Sequence, residues 1–221
     1  MEPTAKELGL LARRLYPAGP WLMRKMMHFR VLICPFESLI THVPAGATVL
    51  DVGCGAGLFL ALLAATVPEM NGVGFDSSGV AIEAGKRMVE EAANLYPSAR
   101  LELIRLDVSA PWPSGEYDVV SLVDVLHHIP PAAQKSVFRM AVEKVKPGGM
   151  LLYKDMAQKP FFPAAMNRLH DLVLARQWIH YVPIRQVEEW ASESGLTMTH
   201  SGAFSRVWYR HELRIFSKPA S

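Results

Sequence analysis

The sequence predicts an α/β fold built on a doubly wound, mostly parallel sheet with helices on both of its faces. The first observation is an apolar segment that ends at Val52, runs into a glycine turn at Gly53–Gly57 and continues as a helical segment, Leu58–Val67. A strand that feeds a glycine turn and then a helix is typical of a βαβ unit. The second observation is that further apolar, strand-like segments alternate with helical ones, at residues 71–75, 101–106, 117–123 and 150–153.

Composition predicts one domain of ordinary size. The chain has 221 residues, of which 50% are hydrophobic and 20% charged, enough for a sizeable core. A net charge of +2 is too small to indicate a nucleic-acid partner. Cys34 and Cys54 form no CxxC pair, so we expect no disulfide, no metal site and a reducing, cytoplasmic location. We predict neither a signal peptide nor a membrane span, which needs about 18 consecutive apolar residues.

The residues before the first strand, 1–44, are expected to form a helical cap on a domain that spans 45–221. Helical spacing predicts helices over Ala5–Leu15 and Trp21–Ile33, and the first 30 residues hold six Lys or Arg against two Glu. One interpretation is a lid over the ligand cleft with a solvated basic face. The other is an interfacial helix that contacts a membrane or a lipid-like substrate. The lid is favoured, because Pro17 and Pro20 keep either helix short.

The glycine turn predicts a site where a ligand approaches the main chain closely. Gly53, Gly55 and Gly57 follow the pattern G-x-G-x-G and present bare backbone N–H groups at the start of a helix. A dinucleotide fingerprint has a further glycine where this chain has Leu58. Asp51, just before the turn, disfavours a pyrophosphate and favours a ligand with a positive charge, such as an ammonium group.

Acidic residues follow the next two predicted strands. Asp76 ends the second strand, 19 residues after Gly57, and Asp107 follows the third. In open parallel sheets, ligands bind outside the carboxyl ends of the strands, where Asp76 could accept both hydroxyls of a ribose. The alternative is that Asp76 caps the following helix, although Ser77 or Ser78 could do so. For Asp107 the alternative is a cap on the turn that follows.

These landmarks, taken in order, resemble the class I S-adenosylmethionine-dependent methyltransferases. The glycine motif is followed by Asp76, by Asp107-Val108, by Leu126-His127-His128-Ile129 after the fourth strand and by Lys146-Pro147-Gly148-Gly149 before the fifth. The resemblance covers about residues 45–155 well. It implies S-adenosylmethionine as the cofactor and a Rossmann-like sheet of seven strands with an antiparallel last strand. An expected closing strand pair, at 196–204 and 207–216, fits that ending.

The resemblance also implies which residues hold the cofactor. Asp51 and the backbone of the glycine turn would hold the methionine end, and Asp76 the ribose. Asp107 would take the adenine amino group, while the Val108 N–H meets a ring nitrogen. The full predicted set of cofactor-binding residues is Asp51, Gly53, Cys54, Gly55, Gly57, Asp76, Ser77, Asp107, Val108, Val123 and Asp124.

The loop after the fourth strand faces the methyl group in this family, which makes its two histidines candidate general bases. His127 and His128 are adjacent and therefore point in different directions. His128 is favoured because the family's loop tends to present the second position, and the alternative for either is a hydrogen bond that fixes the loop. Asp155, at the end of the fifth strand, could line the acceptor pocket or tie down a loop. His170 and His180 are further candidates, but a base is needed only if the acceptor must lose a proton.

The predicted function is methyl transfer by in-line displacement to an oxygen, nitrogen or carbon atom of a small acceptor molecule, driven mainly by positioning. An insertion at 157–182 is expected to set acceptor specificity. Apolar residues with interspersed arginines favour a hydrophobic or aromatic acceptor, including one that carries an anionic group. The expected lining residues are Met23, Met26, Met27, Phe161, Phe162, Trp178, Tyr181, Arg24, Arg168 and Arg176.

Three alternatives belong to other classes. The first is methylation of a lipid-like acceptor at a membrane surface, which the basic N-terminus permits. The second is a nicotinamide-dependent oxidoreductase, which Leu58 disfavours, and the third is a non-catalytic cofactor-binding module. A nucleic-acid methyltransferase is not expected, because Asp124–His127 differs from the Asn/Asp-Pro-Pro-Tyr/Phe segment that such enzymes place after the fourth strand.

Overall fold

A computed structural model describes residues 3–18, 21–157, 180–206 and 209–220. The chain divides into two compact units, Met1–Ser114 and Gly115–Ser221. The boundary expected at residue 44 lies inside the first unit, and the separation of a cap from a methyltransferase domain stays a prediction.

The first unit contains three helices, followed by three strands that alternate with two more helices. Its elements are α1 Ala5–Leu15, α2 Trp21–Ile33, α3 Phe36–Ile40, β1 Thr48–Val52, α4 Leu58–Thr66, β2 Asn71–Asp76, α5 Gly79–Leu95 and β3 Arg100–Arg105. Helix α4 is buried from Leu58 to Ala64, because it is apolar on every side.

The second unit contains the remaining four strands. Its elements are β4 Tyr117–Val123, a 3₁₀ turn Leu126–His128, α6 Pro131–Glu143, β5 Val145–Met156, α7 Ile184–Glu193, β6 Thr197–Arg206 and β7 Tyr209–Ser217.

The strands belong to one seven-stranded sheet in the order β3-β2-β1-β4-β5-β7-β6. In the first unit, β2 pairs in parallel with both β1 and β3. In the second, β4 and β5 are parallel, whereas β7 is antiparallel to both β5 and β6. The predicted fold class is therefore confirmed, including the antiparallel last strand.

The fifth strand differs from its prediction at its start. Residues 146–149 were expected to form a turn before a strand over 150–153, but the observed strand β5 already begins at Val145. The pairing with β4 nevertheless jumps from Tyr117–Val145 to Val119–Met150, so this segment bulges out of register. Gly148 adopts a φ of 76° in the bulge, which explains why the sequence indicated a turn there.

Two other differences concern helices. Helix α7 begins at Ile184, three residues before the expected start at Val187, because it follows directly on Pro183. The helix expected over 164–179 lies outside the described residues.

Helix α1 packs against α2 and α4 in the first unit. Its buried side chains Leu8, Ala12 and Leu15 recur at helical spacing. Just after α1, the buried Tyr16 hydroxyl donates a hydrogen bond of 2.8 Å to the carbonyl of Ala56 in the glycine turn. The N-terminal segment is thus attached to the turn by a polar contact that the sequence did not predict.

Helix α5 also lies close to the glycine turn, at Gly85. A Cβ added at this position would lie 2.8 Å from the Ala56 carbonyl oxygen and 2.3 Å from a Leu103 methyl group. Only glycine therefore lets α5 approach so closely.

We predict that Gly85→Ala lowers the free energy of unfolding by about 1–3 kcal/mol, because the new methyl group overpacks this contact. Gly9→Ala is the matched control, since its Cβ would lie 3.4 Å from the His28 ring, an ordinary contact. The control should raise the free energy of unfolding by about 0.5–1 kcal/mol through helix propensity. Urea unfolding monitored by circular dichroism measures both, and equal stabilisation by both substitutions would contradict the close approach.

Candidate functional site

The glycine turn of the first unit exposes its main chain as predicted. Gly53, Gly55 and Gly57 have φ values of 66°, 58° and 78°, which side chains of L-residues rarely permit. Within the described part of the chain, a Cβ built on Gly55 would have no atom within 4 Å. Gly57 is the N-cap of α4 and provides no side-chain cap. The first N–H groups of α4 are therefore suited to an anionic group such as a carboxylate.

Asp76 lies at the carboxyl end of β2 and is tied to the glycine turn. Its Oδ2 accepts a hydrogen bond of 2.9 Å from the Gly55 N–H, and its Oδ1 accepts one of 2.8 Å from the Ser78 N–H. The N-cap of α5 is Ser78, whose hydroxyl accepts from the Ala81 N–H. Each carboxylate oxygen of Asp76 keeps a further lone pair, so the group can still accept ligand hydroxyls. Ser77 beside it is exposed.

Asp51 and Cys54 flank the start of the turn. Asp51 is buried in β1, and the Cys54 N–H donates to the Phe75 carbonyl of β2 at 3.0 Å. Burial, followed by the nearby carboxylates of Asp51 and Asp76, raises the pKa of the Cys54 thiol. The thiol therefore stays protonated near neutral pH and is a poor nucleophile.

Asp107 lies exposed after β3 and caps a turn. Its Oδ1 accepts hydrogen bonds from the Ser109 hydroxyl at 2.7 Å and the Ser109 N–H at 2.9 Å. These bonds lower the pKa of Asp107, so it is ionised at neutral pH. The structure thus contains the hydrogen bonds of the turn-cap alternative, and contact of Asp107 with adenine stays a prediction.

Val108, beside Asp107, is held by a buried tryptophan. The Trp112 indole N–H donates to the Val108 carbonyl at 2.9 Å, and its ring lies 5.0 Å from that of Phe75. Trp112 therefore anchors this loop and leaves the Val108 N–H as the group that could meet a ligand.

These groups together fit the cofactor that the resemblance implies. The uncapped start of α4 suits the carboxylate of an amino acid, and Asp51 suits its ammonium group. Asp76 suits a ribose, since a carboxylate accepts two hydroxyls at once. The open space at Gly55 is where a ligand could approach the main chain.

In the second unit, the histidine loop holds a buried histidine–aspartate pair. His127 is 1% exposed, and its Nδ1 lies 2.5 Å from Oδ1 of Asp155. The same oxygen accepts the Met156 N–H at 2.7 Å. Among the described residues, the buried Oδ2 of Asp155 finds no hydrogen-bond partner. His128 is exposed, with its ring centre 4.0 Å from that of His127.

The backbone of this loop is fixed by Gln134, a residue that sequence reasoning missed. Its side-chain amide lies within hydrogen-bond distance of three carbonyls, those of Leu126, Ile129 and His180, at 3.0, 3.2 and 2.7 Å. The His180 N–H in turn donates to the His127 carbonyl at 2.8 Å. Its position in the sequence could have indicated its burial. Gln134 lies three residues before Val137 and four before Phe138, both buried on the inner face of α6.

Lys154 is a second residue that the sequence analysis missed. Its fully buried ammonium lies 2.7 Å from both carboxylate oxygens of Asp124. Asp124, predicted to bind cofactor, has a φ of 58°, an uncommon conformation that its N–H bond to the Lys154 carbonyl helps to hold. Val123 is buried and pairs with Lys154 across the strands. A lysine inside the apolar run of β5 was the available signal, because such a residue needs a buried partner.

Consecutive residues of β5 therefore hold the histidine loop from opposite faces of the sheet. Lys154 faces Asp124 at the start of the loop, while Asp155 faces His127 in the middle. Burial, followed by the carboxylate of Asp155, raises the pKa of Tyr153, which shares a strand face with Asp155. Tyr153 thus stays a neutral phenol.

We predict that Lys154→Met lowers the free energy of unfolding by about 3–5 kcal/mol, because it removes the fully buried cation that neutralises a carboxylate only 13% exposed. The double variant Lys154→Met with Asp124→Asn should recover most of this loss, since asparagine tolerates positive φ and carries no charge. Chemical unfolding of both variants makes the comparison. Losses of equal size in the single and double variants would contradict a specific ion pair.

Other predicted features lie outside the described residues or outside the site. His170, Phe161, Phe162, Trp178, Arg168 and Arg176 fall in the segment that the structure does not describe. Among the described residues, no three His, Cys, Asp or Glu side chains lie together so that they could hold a metal ion. Within the same residues, no helix is both long enough and apolar enough to cross a bilayer.

Comparison with known proteins identifies one family. A family model described as a methyltransferase domain matches residues 27–201. The ubiquinone biosynthesis O-methyltransferase of Thiobacillus denitrificans is 30% identical over 166 residues, which is 71% of this chain and 67% of the relative. The 2-methyl-6-phytyl-1,4-hydroquinone methyltransferase of a Synechocystis species is 32% identical over 144 residues, which is 62% of this chain but only 42% of the relative.

A solved structure shares the fold. The magnesium protoporphyrin IX methyltransferase of Synechocystis, crystallised with S-adenosylhomocysteine bound, superposes with a TM-score of 0.68 at 18% sequence identity. The similarity covers 94% of this chain and 92% of that protein.

Proposed function

We infer the reaction from one premise: the chain belongs to the methyltransferase-domain family and is an S-adenosylmethionine-dependent methyltransferase. We propose that its acceptor is a small hydrophobic or aromatic molecule. The observation that carries the cofactor assignment is Asp76, whose carboxylate is fixed to the glycine turn by the Gly55 N–H.

The first unit would hold the cofactor by groups of different charge. Asp51 and the N–H groups at the start of α4 would bind the ammonium and carboxylate of its amino-acid end. Asp76 would bind the ribose hydroxyls, and Asp107 with the Val108 N–H would bind the adenine. S-adenosylmethionine supplies a methyl group made electrophilic by its sulfonium. The protein therefore contributes mainly by orientation, which can supply about 7–11 kcal/mol of the barrier.

We propose His127 as the general base for an acceptor that must lose a proton, in place of His128, which the family resemblance favours. A proton on Nδ1, directed at Asp155, leaves the lone pair of the imidazole on Nε2. The aspartate also stabilises the imidazolium that forms when the ring accepts a proton. His128 is exposed and stays the alternative base, as does Asp155 itself.

The acceptor class is supported by the two relatives and by the N-terminal sequence. The relatives are named for ubiquinone biosynthesis and for a hydroquinone that carries a phytyl group, both of which involve aromatic or quinone rings. A hydroxyl on an aromatic ring, as in a hydroquinone, is a phenol, and its proton must be removed if its oxygen is to accept the methyl group. A lipid-like acceptor taken from a membrane surface is the second candidate, favoured by the exposed apolar residues of α2.

We predict that Asp76→Ala weakens binding of S-adenosylhomocysteine by about 10- to 100-fold, because it removes the charged acceptor of ribose hydroxyls. Isothermal titration measures the affinity. Glu83→Gln is the matched control, as Glu83 is an exposed acid on α5 that forms an ion pair with Lys86. Unchanged affinity in Asp76→Ala would refute the ribose role.

We predict that His127→Ala lowers kcat by about 10²- to 10⁴-fold on a phenolic acceptor and leaves cofactor affinity within a few-fold of the wild type. Asp155→Asn should lower kcat and change the pH profile, because the amide cannot stabilise an imidazolium. His200→Ala, which removes an exposed histidine of β6, is the control and should leave kcat unchanged. If His128→Ala abolishes turnover while His127→Ala does not, the exposed histidine is the base.

A further inference from the structure

Helix α2 carries apolar side chains on two opposite sides. Met27 and Val31, one turn apart, are buried on its inner side. Trp21, Phe29 and Leu32 are 66%, 38% and 44% exposed. They follow one another at spacings of eight and three residues, which places them on one side of a helix with 3.6 residues per turn. Helix α2 thus presents an apolar face to its surroundings.

Exposed apolar side chains concentrate in this part of the protein. Seven large hydrophobic residues of the described chain are exposed, and five of them belong to α1 and α2, namely Leu10, Trp21, Met26, Phe29 and Leu32. The other two, Val80 and Met198, lie on α5 and β6. We call Trp21, Met26, Phe29 and Leu32 the α2 patch. Grouped exposure of this kind marks an interaction surface, whereas single exposed residues do not.

The charges around the α2 patch define its partner. Helices α1 and α2 carry six Lys or Arg and a single acid, Glu7. Arg24 and Lys25 are exposed beside the patch, and the Lys25 ammonium lies 4.3 Å from the centre of the Trp21 ring. A second copy of this chain would bring like charges together, which opposes association through this face. A partner with negative charge at its surface and an apolar interior complements both features.

We propose that the α2 patch docks on the surface of a bilayer that carries anionic headgroups. Helix α2 has 13 residues, too few to span a bilayer, and so would lie in the interface. Its apolar side chains would enter the headgroup boundary, with Trp21 at the depth that tryptophan prefers. Its lysine and arginines would remain among the headgroups. This inference goes beyond the methyl transfer, since it requires neither cofactor nor a particular acceptor.

Binding of the full chain to lipid vesicles tests the proposal. We expect co-sedimentation with vesicles of phosphatidylcholine and phosphatidylglycerol, weaker binding to pure phosphatidylcholine, and a loss of affinity as salt is added. Absence of binding to the anionic vesicles would overturn the proposal. Because no cofactor or acceptor is present, the outcome is separate from that of the methyltransferase assays.

Paired variants identify the surface responsible. Phe29→Ser with Leu32→Ser should lower the partition coefficient by about tenfold or more, since it removes two apolar side chains from the patch. Val80→Ser with Met198→Ser removes exposed apolar residues elsewhere and should leave binding unchanged. All four positions are exposed, so both double variants should fold, which circular dichroism and thermal unfolding verify.

Two results would assign the α2 patch to something other than a bilayer. Equal loss of binding in both double variants would show that the patch is not the docking surface. A dimer seen by light scattering, if Phe29→Ser with Leu32→Ser dissociates it, would show that the face binds a second copy. Arg24→Glu with Lys25→Glu should abolish the preference for anionic vesicles, and a preference that persists would contradict the role of charge.

Discussion

The hydrogen bond from the Gly55 N–H to the Asp76 carboxylate is the contact on which the candidate cofactor site of the first unit depends. It joins the glycine turn after β1 to the end of β2, and the Ser78 N–H fixes the other carboxylate oxygen. The acid is therefore held by the backbone before any ligand arrives, and each of its oxygens keeps a further lone pair. Because fixed groups lose little freedom on binding, such an arrangement favours affinity for a polar ligand. Tyr16 and Gly85 support the same turn through the Ala56 carbonyl and the close approach of α5.

In the second unit, the histidine loop depends on the alternation of side chains along β5. Lys154 and Asp155 are neighbours in sequence and face opposite sides of the sheet, so each binds a different part of the histidine loop. Gln134 fixes the intervening carbonyls from α6. A loop held at its start, its middle and its end has little freedom to turn the His127 ring. Such rigidity would suit the proposed general base, because proton transfer needs a fixed distance and direction between the base and the proton.

The N-terminal helices have contacts that bear on both interpretations of their sequence, the lid and the interfacial helix. Through Tyr16, the segment after α1 contacts the glycine turn, as a cap over a ligand site would. Through its outer face, α2 offers apolar side chains among basic residues, as an interfacial helix would. The two roles use different groups, the Tyr16 hydroxyl and the exposed apolar side chains of α2. A methyltransferase with a hydrophobic acceptor would gain from such a pairing, as the acceptor is enriched in the bilayer.

The sequence by itself determined the α/β fold, the alternating strands and the glycine turn. These features are local: apolar periodicity, glycines at left-handed positions and acids at strand ends are all readable within a few residues. Tertiary structure alone decided which histidine is buried, since the partner of His127 is Asp155, which lies 28 positions later in the chain. It likewise decided the pairing of Lys154 with Asp124 and the contact of Tyr16 with Ala56. Such contacts join residues distant in sequence, and the direction of each side chain depends on packing that no local pattern encodes.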